Sequence, residues 1–149
     1  MRKTLTALIA LLLLLSCSDD PGVRPMIGTY LLIPGETAAV SYKSDDTFIY
    51  SESVGDYEGE CVLTGKYSVS LDQYNFKTAR GKLSMTVTSS LDGYENLLLG
   101  KNNSIEFYWS SNDEEPVLTW IFDSADSSKN YTFKRIGEED MLDDRLEEE

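Results

Sequence analysis

KLSMTVTS, at positions Lys82–Ser89, alternates strictly between polar and apolar side chains. Successive side chains of a β-strand point to opposite faces, so Leu83, Met85 and Val87 would share one buried face. Glu60–Leu71 follows the same period of two residues. Between residues 27 and 136 the apolar residues nowhere follow the 3.6-residue period of an amphipathic helix. The sequence therefore predicts an all-β domain.

Short segments of the same kind lie on both sides of this stretch, between residues 27 and 136. Turn residues such as Pro34-Gly35 and Asp92-Gly93 separate them. Short connections favour antiparallel neighbours, and a meander of about eight strands closes into a barrel that has no exposed edges. We predict an antiparallel up-and-down β-barrel of about eight strands over residues 27–136, with a β-sandwich as the alternative. The candidate strands are Ile27–Ile33, Thr37–Lys43, Thr47–Glu52, Glu60–Leu71, Lys82–Ser89, Tyr94–Leu99, Ser104–Ser110, Val117–Phe122 and Asn130–Ile136.

Residues 1–16 have the features of a signal peptide. Arg2 and Lys3 precede an apolar run from Leu5 to Leu15, and this run is shorter than the ~20 residues that span a bilayer. Leu14-Leu15-Ser16-Cys17 resembles the lipobox of bacterial lipoproteins. The resemblance implies that Cys17 becomes the N-terminus and carries fatty acyl chains such as palmitate, which anchor the protein to a membrane. The alternative is an ordinary secretory signal with a chance cysteine.

Residues 17–26 are expected to form a lipidated, flexible tether, since they contain prolines, a glycine and acidic residues but little to bury. Ser18-Asp19-Asp20 resembles the short signal that sends some lipoproteins of Gram-negative bacteria to the cell surface. This resemblance implies an outer-membrane lipoprotein that is exposed at the surface. An acidic linker without a targeting role is the alternative. At the other terminus, residues 137–149 are mostly acidic, and we expect them to be a disordered tail.

Charge and composition narrow the function classes. The chain has 26 acidic and 13 basic side chains, and removal of the signal peptide would leave a net charge of −15. Such a surface repels nucleic acid and suits a basic protein partner. The chain has no histidine, which removes the usual general base and a common metal ligand. We therefore expect no enzymatic activity, no metal and no cofactor.

Cys61 alternates with apolar residues and is expected in the core.

Two stretches resemble lipocalin-like domains of bacterial surface lipoproteins. Gly28-Thr29-Tyr30 stands where lipocalins have glycine, any residue and tryptophan on the first strand. Tyr131–Arg135 stands where they carry a late arginine on the last strand. The resemblance implies that Arg135 stacks on Tyr30 and closes one end of the barrel, a cation–π contact. Tyr30 replaces the tryptophan of the family, and the domain is shorter than a full lipocalin.

The aromatic residues suggest two functions. Tyr67, Phe107, Trp109 and Trp120 would line a small apolar ligand if the barrel is hollow. The alternative is a protein-interaction module, either an accessory subunit of an outer-membrane complex or an inhibitor of a cationic host enzyme. The acidic loop Asn112–Glu115 would suit such a basic partner. A filled barrel favours the second function.

Overall fold

A computed structural model describes residues 25–53, 60–90, 98–111 and 115–142, without the side chains of residues 53, 60 and 61. These residues form eight strands and one short 3₁₀ helix, Ser127–Lys129. The strands are β1 (Gly28–Ile33), β2 (Ala38–Tyr42), β3 (Thr47–Ser53), β4 (Glu60–Tyr74), β5 (Thr78–Ser90), β6 (Asn102–Ser110), β7 (Val117–Ile121) and β8 (Tyr131–Gly137).

Every strand pairs with its sequence neighbour in antiparallel orientation, and β8 pairs with β1 to close a barrel. The up-and-down barrel is thus confirmed, and the β-sandwich alternative is excluded. On β5, the residues of the decisive stretch alternate between buried and exposed as far as Thr88. Leu83 and Met85 are fully buried, while Ser84 and Thr86 face outward.

The barrel has two ends, which we name by the chain terminus. β1 begins at the N-terminal end, where the β2–β3, β4–β5 and β6–β7 connections and the last residue of β8 also lie. The connections β1–β2, β3–β4, β5–β6 and β7–β8 lie at the opposite end. Met26 is fully buried at the N-terminal end and belongs to the barrel. The domain therefore begins one residue before the boundary that we expected between tether and barrel.

Glycines allow β4 and β5 to approach closely inside the barrel. A Cβ atom at Gly65 would collide with the carbonyl oxygen of Thr86, and one at Gly81 with that of Ser70. The register between β4 and β5 shifts next to Gly65, between Thr64 and Gly65. Glycine at such positions lets a strand bend without steric conflict, which a small closed barrel requires.

The strand boundaries differ from the expected ones in two places. β4 continues to Tyr74 and β5 already begins at Thr78. Together they form a longer hairpin than the alternating segments indicated. The expected strand Tyr94–Leu99 falls mainly outside the described residues, and its last two residues, Leu98 and Leu99, form a bend instead. Leu99 is fully buried in the core.

The first part of the acidic C-terminal segment is held against the barrel. The Thr29 hydroxyl donates a hydrogen bond of 2.5 Å to the carbonyl oxygen of Glu138. The Glu139 carboxylate accepts two from Ser44, at 3.1 Å from the backbone N–H and 2.9 Å from the hydroxyl. The tail that we expected to be free from residue 137 is thus bound at 138 and 139. Residues 143–149 lie outside the described part.

Candidate functional site

Large side chains occupy the interior of the barrel, where we expected a ligand site. They belong to one core cluster that includes residues from all eight strands. Seven aromatic side chains are among the largest fully buried ones: Trp120, Tyr30, Tyr42, Tyr50, Phe48, Phe107 and Phe133. The inward positions follow from register, because residues directly opposite one another on antiparallel strands share a face.

Two indole–phenol hydrogen bonds satisfy the indole N–H groups of this interior. Nε1 of Trp109 donates to the hydroxyl of Tyr30, and Nε1 of Trp120 donates to the hydroxyl of Tyr42, each at 3.2 Å. The Tyr42 hydroxyl in turn donates to Sδ of Met85 at 3.4 Å. A buried donor without a partner costs about 1–3 kcal/mol, so these pairings matter for stability. No ligand is needed to satisfy these groups.

The rings also contact one another across the barrel. The centroids of Trp120 and Phe133 are 4.4 Å apart, and those of Tyr50 and Trp120 are 6.0 Å apart. Tyr42 meets Tyr67 edge-on at 5.0 Å. Such separations are those of direct aromatic packing. The ring faces that a ligand would contact are therefore occupied by neighbouring rings.

Burial sets the protonation state of the interior phenols. It raises the pKa of Tyr30 to about 12, although the Trp109 hydrogen bond and the Arg135 charge act in the opposite direction. Burial likewise raises the pKa of Tyr42. For Tyr50, burial and the hydrogen bond to Glu52 raise the pKa well above its usual range. These three groups are uncharged at neutral pH and would not serve there as bases.

The four expected ligand-lining residues are all in this packed core. Tyr67 is 4% exposed, Phe107 1%, Trp109 7% and Trp120 0%. The structure thus brings them together inside the barrel but with their surfaces covered. Among the depressions bounded by described residues, one of about 320 Å³ lies on the outside of the barrel, beside the exposed side chains of Arg80 and Glu106.

Glu52 is an inward-facing carboxylate that the sequence reasoning missed. It accepts a hydrogen bond from the Tyr50 hydroxyl and another, at 3.0 Å, from the backbone N–H of Leu98. The connection from β5 to β6 is thereby attached to the opposite end of the barrel, and the adjacent Leu99 is buried there. The sequence could have indicated this position. Alternate residues of a strand share a face, and Glu52 lies two residues beyond the inward Tyr50 on β3.

The pairing of Tyr30 and Arg135 follows the expected strand order. They are opposite one another on β1 and β8. The Arg135 side chain passes over Gly28, and its Nη2 lies 3.4 Å from a carboxylate oxygen of Glu138. Stacking of the guanidinium on the Tyr30 ring stays a prediction. A cation–π contact is found elsewhere, with the guanidinium carbon of Arg80 4.9 Å from the ring centroid of Tyr108.

The remaining expectations concern parts that the structure does not describe. Cys17 and the tether up to residue 24 lie outside the described residues, as do the Cys61 side chain and residues 112–114 of the acidic loop. Within the described ranges, no three Asp, Glu, Cys or His side chains are grouped as metal ligands. No helix in the same ranges is long and apolar enough to cross a membrane.

Comparison with protein-family models, with curated proteins and with solved structures finds no match for this chain.

Proposed function

We propose that this protein is a membrane-anchored bacterial lipoprotein whose barrel acts as a protein-interaction module for a basic partner. The observation that carries the proposal is the packed aromatic interior. Eight-stranded barrels either fill their interior with side chains or hold one small ligand. Here Trp120 and Tyr42 are both 0% exposed and are hydrogen-bonded to each other. A binding surface on the outside of the barrel agrees best with this interior.

The ligand-carrier function would require the core to open. An apolar molecule could enter only by displacing rings such as Trp109 and Trp120, whose indole N–H groups would then lose their buried acceptors. Each such loss costs about 1–3 kcal/mol in addition to the packing that is given up. The core that such a molecule would have to open includes the buried Met26 at the N-terminal end and the buried Leu99 at the opposite end.

Charge at the opposite end supports a basic partner. Asp123 and Asp126 lie in the connection between β7 and β8, and Glu36 is exposed in the connection between β1 and β2. Hydrogen bonds from the backbone of Ala125 and from Lys129 lower the pKa of Asp123, and those from Ser128 lower the pKa of Asp126. These carboxylates are therefore ionised at neutral pH. Lys129 compensates part of this charge, 3.3 Å from Asp123.

The anchor is tested separately from the partner. We expect the chain to incorporate labelled palmitate in a bacterium that processes lipoproteins, and Cys17→Ser to abolish the label. Cys61→Ser is the matched control, because it removes the other cysteine and should leave the label unchanged. Labelling of Cys17→Ser would contradict the anchor.

The binding mode is tested on the purified full chain with two defined probes. Calorimetry with palmitic acid should detect no stoichiometric complex. Lysozyme, a basic protein, should associate more slowly at 300 mM than at 50 mM salt, as electrostatic steering requires. Asp123→Asn with Asp126→Asn should reduce the association rate, and Lys82→Gln on the barrel wall is the matched control. One-to-one palmitate binding would contradict the filled barrel. A lysozyme association rate that changes neither with salt nor with the two aspartate substitutions would contradict a partner that is attracted by charge.

A further inference from the structure

The tip of the β4–β5 hairpin presents aromatic side chains to solvent. Phe76 is 91% exposed and Tyr74 47% exposed. Of the six large apolar side chains that are exposed among the described residues, four are at the N-terminal end. They are Tyr74, Phe76, Ile136 and Met141, whereas Ile33 and Phe122 are at the opposite end. Single exposed apolar residues are normal on a protein surface, so the concentration of four of the six at one end is what marks this end as a candidate contact surface.

Local hydrogen bonds hold the tip in a defined conformation. The side-chain oxygen of Asn75 accepts from the backbone N–H of Lys77 at 2.8 Å and from that of Thr78 at 2.9 Å. The backbone N–H of Asn75 donates to the carbonyl oxygen of Thr78 at 2.9 Å. The carbonyl oxygen of Lys77 accepts from Ser111, which follows β6. The turn therefore holds Phe76 in place without any partner.

The hairpin also reaches beyond its neighbour on one side. β3 pairs with β4 only up to the pair Thr47–Lys66, and the Tyr67 N–H then bonds to the Asp46 carbonyl. Seven further residues of β4, 68–74, continue past that point. At ~3.3 Å per residue they extend about 23 Å along the strand. On its other side the hairpin is accompanied by β6 as far as the pair Thr78–Ser110, so the offset from β3 is part of the stagger that closes a barrel. Only the turn around Phe76 lies beyond both neighbouring strands.

The tether joins the barrel at the same end. β1 starts at Gly28, and the segment from residue 17 to residue 25 can reach at most ~30 Å when extended. If Cys17 carries the lipid, this end of the barrel stays close to the bilayer. The inference below therefore rests on the proposed anchor.

The exposed aromatic side chains, rather than net charge, place the contact at the tip. Lys77 and Arg80 flank them, and basic side chains are attracted to anionic headgroups. Such headgroups repel the acidic residues of this end, which are Asp72 on the hairpin, Asp45 and Asp46 in the β2–β3 turn, and Glu138 and Glu139 after β8. We propose that the β4–β5 tip inserts Phe76 and Tyr74 into the membrane interface beside the lipid anchor, so that the opposite end of the barrel faces away from the membrane.

Fluorescence quenching tests this orientation. Phe76→Trp and Tyr74→Trp each add an exposed tryptophan at the tip, and Phe122→Trp adds one at the opposite end as the matched control. Each lipidated full chain is reconstituted into vesicles of phosphatidylethanolamine and phosphatidylglycerol with or without brominated acyl chains. The emission of the unsubstituted chain, with its buried Trp109 and Trp120, is subtracted.

We expect brominated lipid to lower the added emission about twofold or more at positions 76 and 74, because interfacial aromatics lie at the headgroup–acyl boundary. Position 122 should be unaffected. Equal quenching at all three positions, or none at the tip, would overturn the orientation.

Palmitate label on the same preparations reports the anchor independently. Labelled but unquenched chains would refute the tip contact alone, and unlabelled chains would refute both proposals. A Phe76→Ser chain that keeps its label but no longer binds lysozyme would assign the tip to a protein partner instead.

Discussion

The interior of the barrel and the tip of the β4–β5 hairpin use the same residue types in opposite ways. Trp120 and Tyr42 inside the barrel are 0% exposed and are hydrogen-bonded to each other. Phe76 and Tyr74 at the tip are 91% and 47% exposed. Aromatic content therefore does not indicate a ligand site by itself. Strand register decides whether an aromatic ring stabilises the core or is free to contact a partner or a membrane.

The largest difference between the two regions should appear on truncation. Trp120 lies 4.4 Å from Phe133 and 6.0 Å from Tyr50, measured between ring centroids, so Trp120→Ala leaves a large void. We expect the free energy of unfolding in urea to fall by about 3–5 kcal/mol. Tyr74→Ala removes an exposed aromatic residue and is the control, with a change of about 0.5 kcal/mol.

If Trp120→Ala still folds, it also tests whether the parent barrel is filled. The void would be lined by the rings of Phe133 and Tyr50, with the Tyr42 hydroxyl as one polar group, and a cavity in a core can bind a small apolar molecule such as benzene. We expect benzene to stabilise Trp120→Ala against urea and to leave the parent chain unchanged. Benzene stabilisation of the parent chain would mean that its barrel is already hollow.

Alkaline pH should affect the interior next most strongly. The pKa of Tyr30 is raised to about 12 in the folded state, above the ~10 of an unfolded chain. Below pH 10 both states keep this proton. Between pH 10 and 12 the unfolded state releases it first, so unfolding is favoured and stability falls by about 2–3 kcal/mol over this window. Urea unfolding at several pH values should show this decline, and Tyr30→Phe should make it shallower. An unchanged slope in Tyr30→Phe would contradict the burial of this phenol.

Removal of a single hydroxyl should have a moderate effect. Tyr42→Phe keeps the ring but takes the acceptor away from Nε1 of Trp120, whose N–H is then buried without a partner. We expect a loss of about 1–2 kcal/mol in urea. Tyr74→Phe deletes the corresponding hydroxyl from an exposed ring and should cost nothing measurable. Equal stability of the two variants would show that water or a movement of the core satisfies the indole.

The sequence predicts the fold better than the state of its interior. The alternation in Lys82–Ser89 fixes which residues face inward, because a shift by one residue would expose Leu83 and Met85. The order of the strands follows from short connections, and it places Tyr30 opposite Arg135 as expected. Whether the barrel is filled depends on how residues distant in sequence fit together. The Trp109–Tyr30 bond joins positions 79 residues apart, and no local pattern encodes it.

The full length of the β4–β5 hairpin was not predicted, for a different physical reason. Asp72–Lys77 contains residues that favour turns, so the local pattern ends β4 at Leu71 and begins β5 at Lys82. In the structure, pairing with β6 as far as Thr78–Ser110 extends β5 past those limits. Tertiary pairing thus overrode local preference there, as it often does for strands. The exposure of Phe76 follows from this extension and could not be inferred without it.

Loss of the whole Phe76 side chain should affect stability very little, and this makes the comparison with Trp120 decisive. Phe76→Ser removes a ring that contacts almost nothing in the folded chain. Because the ring is exposed both before and after unfolding, it contributes little to the free energy of unfolding. We expect the unfolding free energy to stay within about 0.5 kcal/mol of the parent value. Urea unfolding of the delipidated chain measures this without a membrane. A loss of several kcal/mol would show that the tip packs on the barrel in solution, and Phe76 would then belong with Trp120 as a core residue. An unchanged stability, combined with quenching of tryptophan at position 76 by brominated lipid, would show that this side chain contributes to membrane contact and not to the stability of the fold.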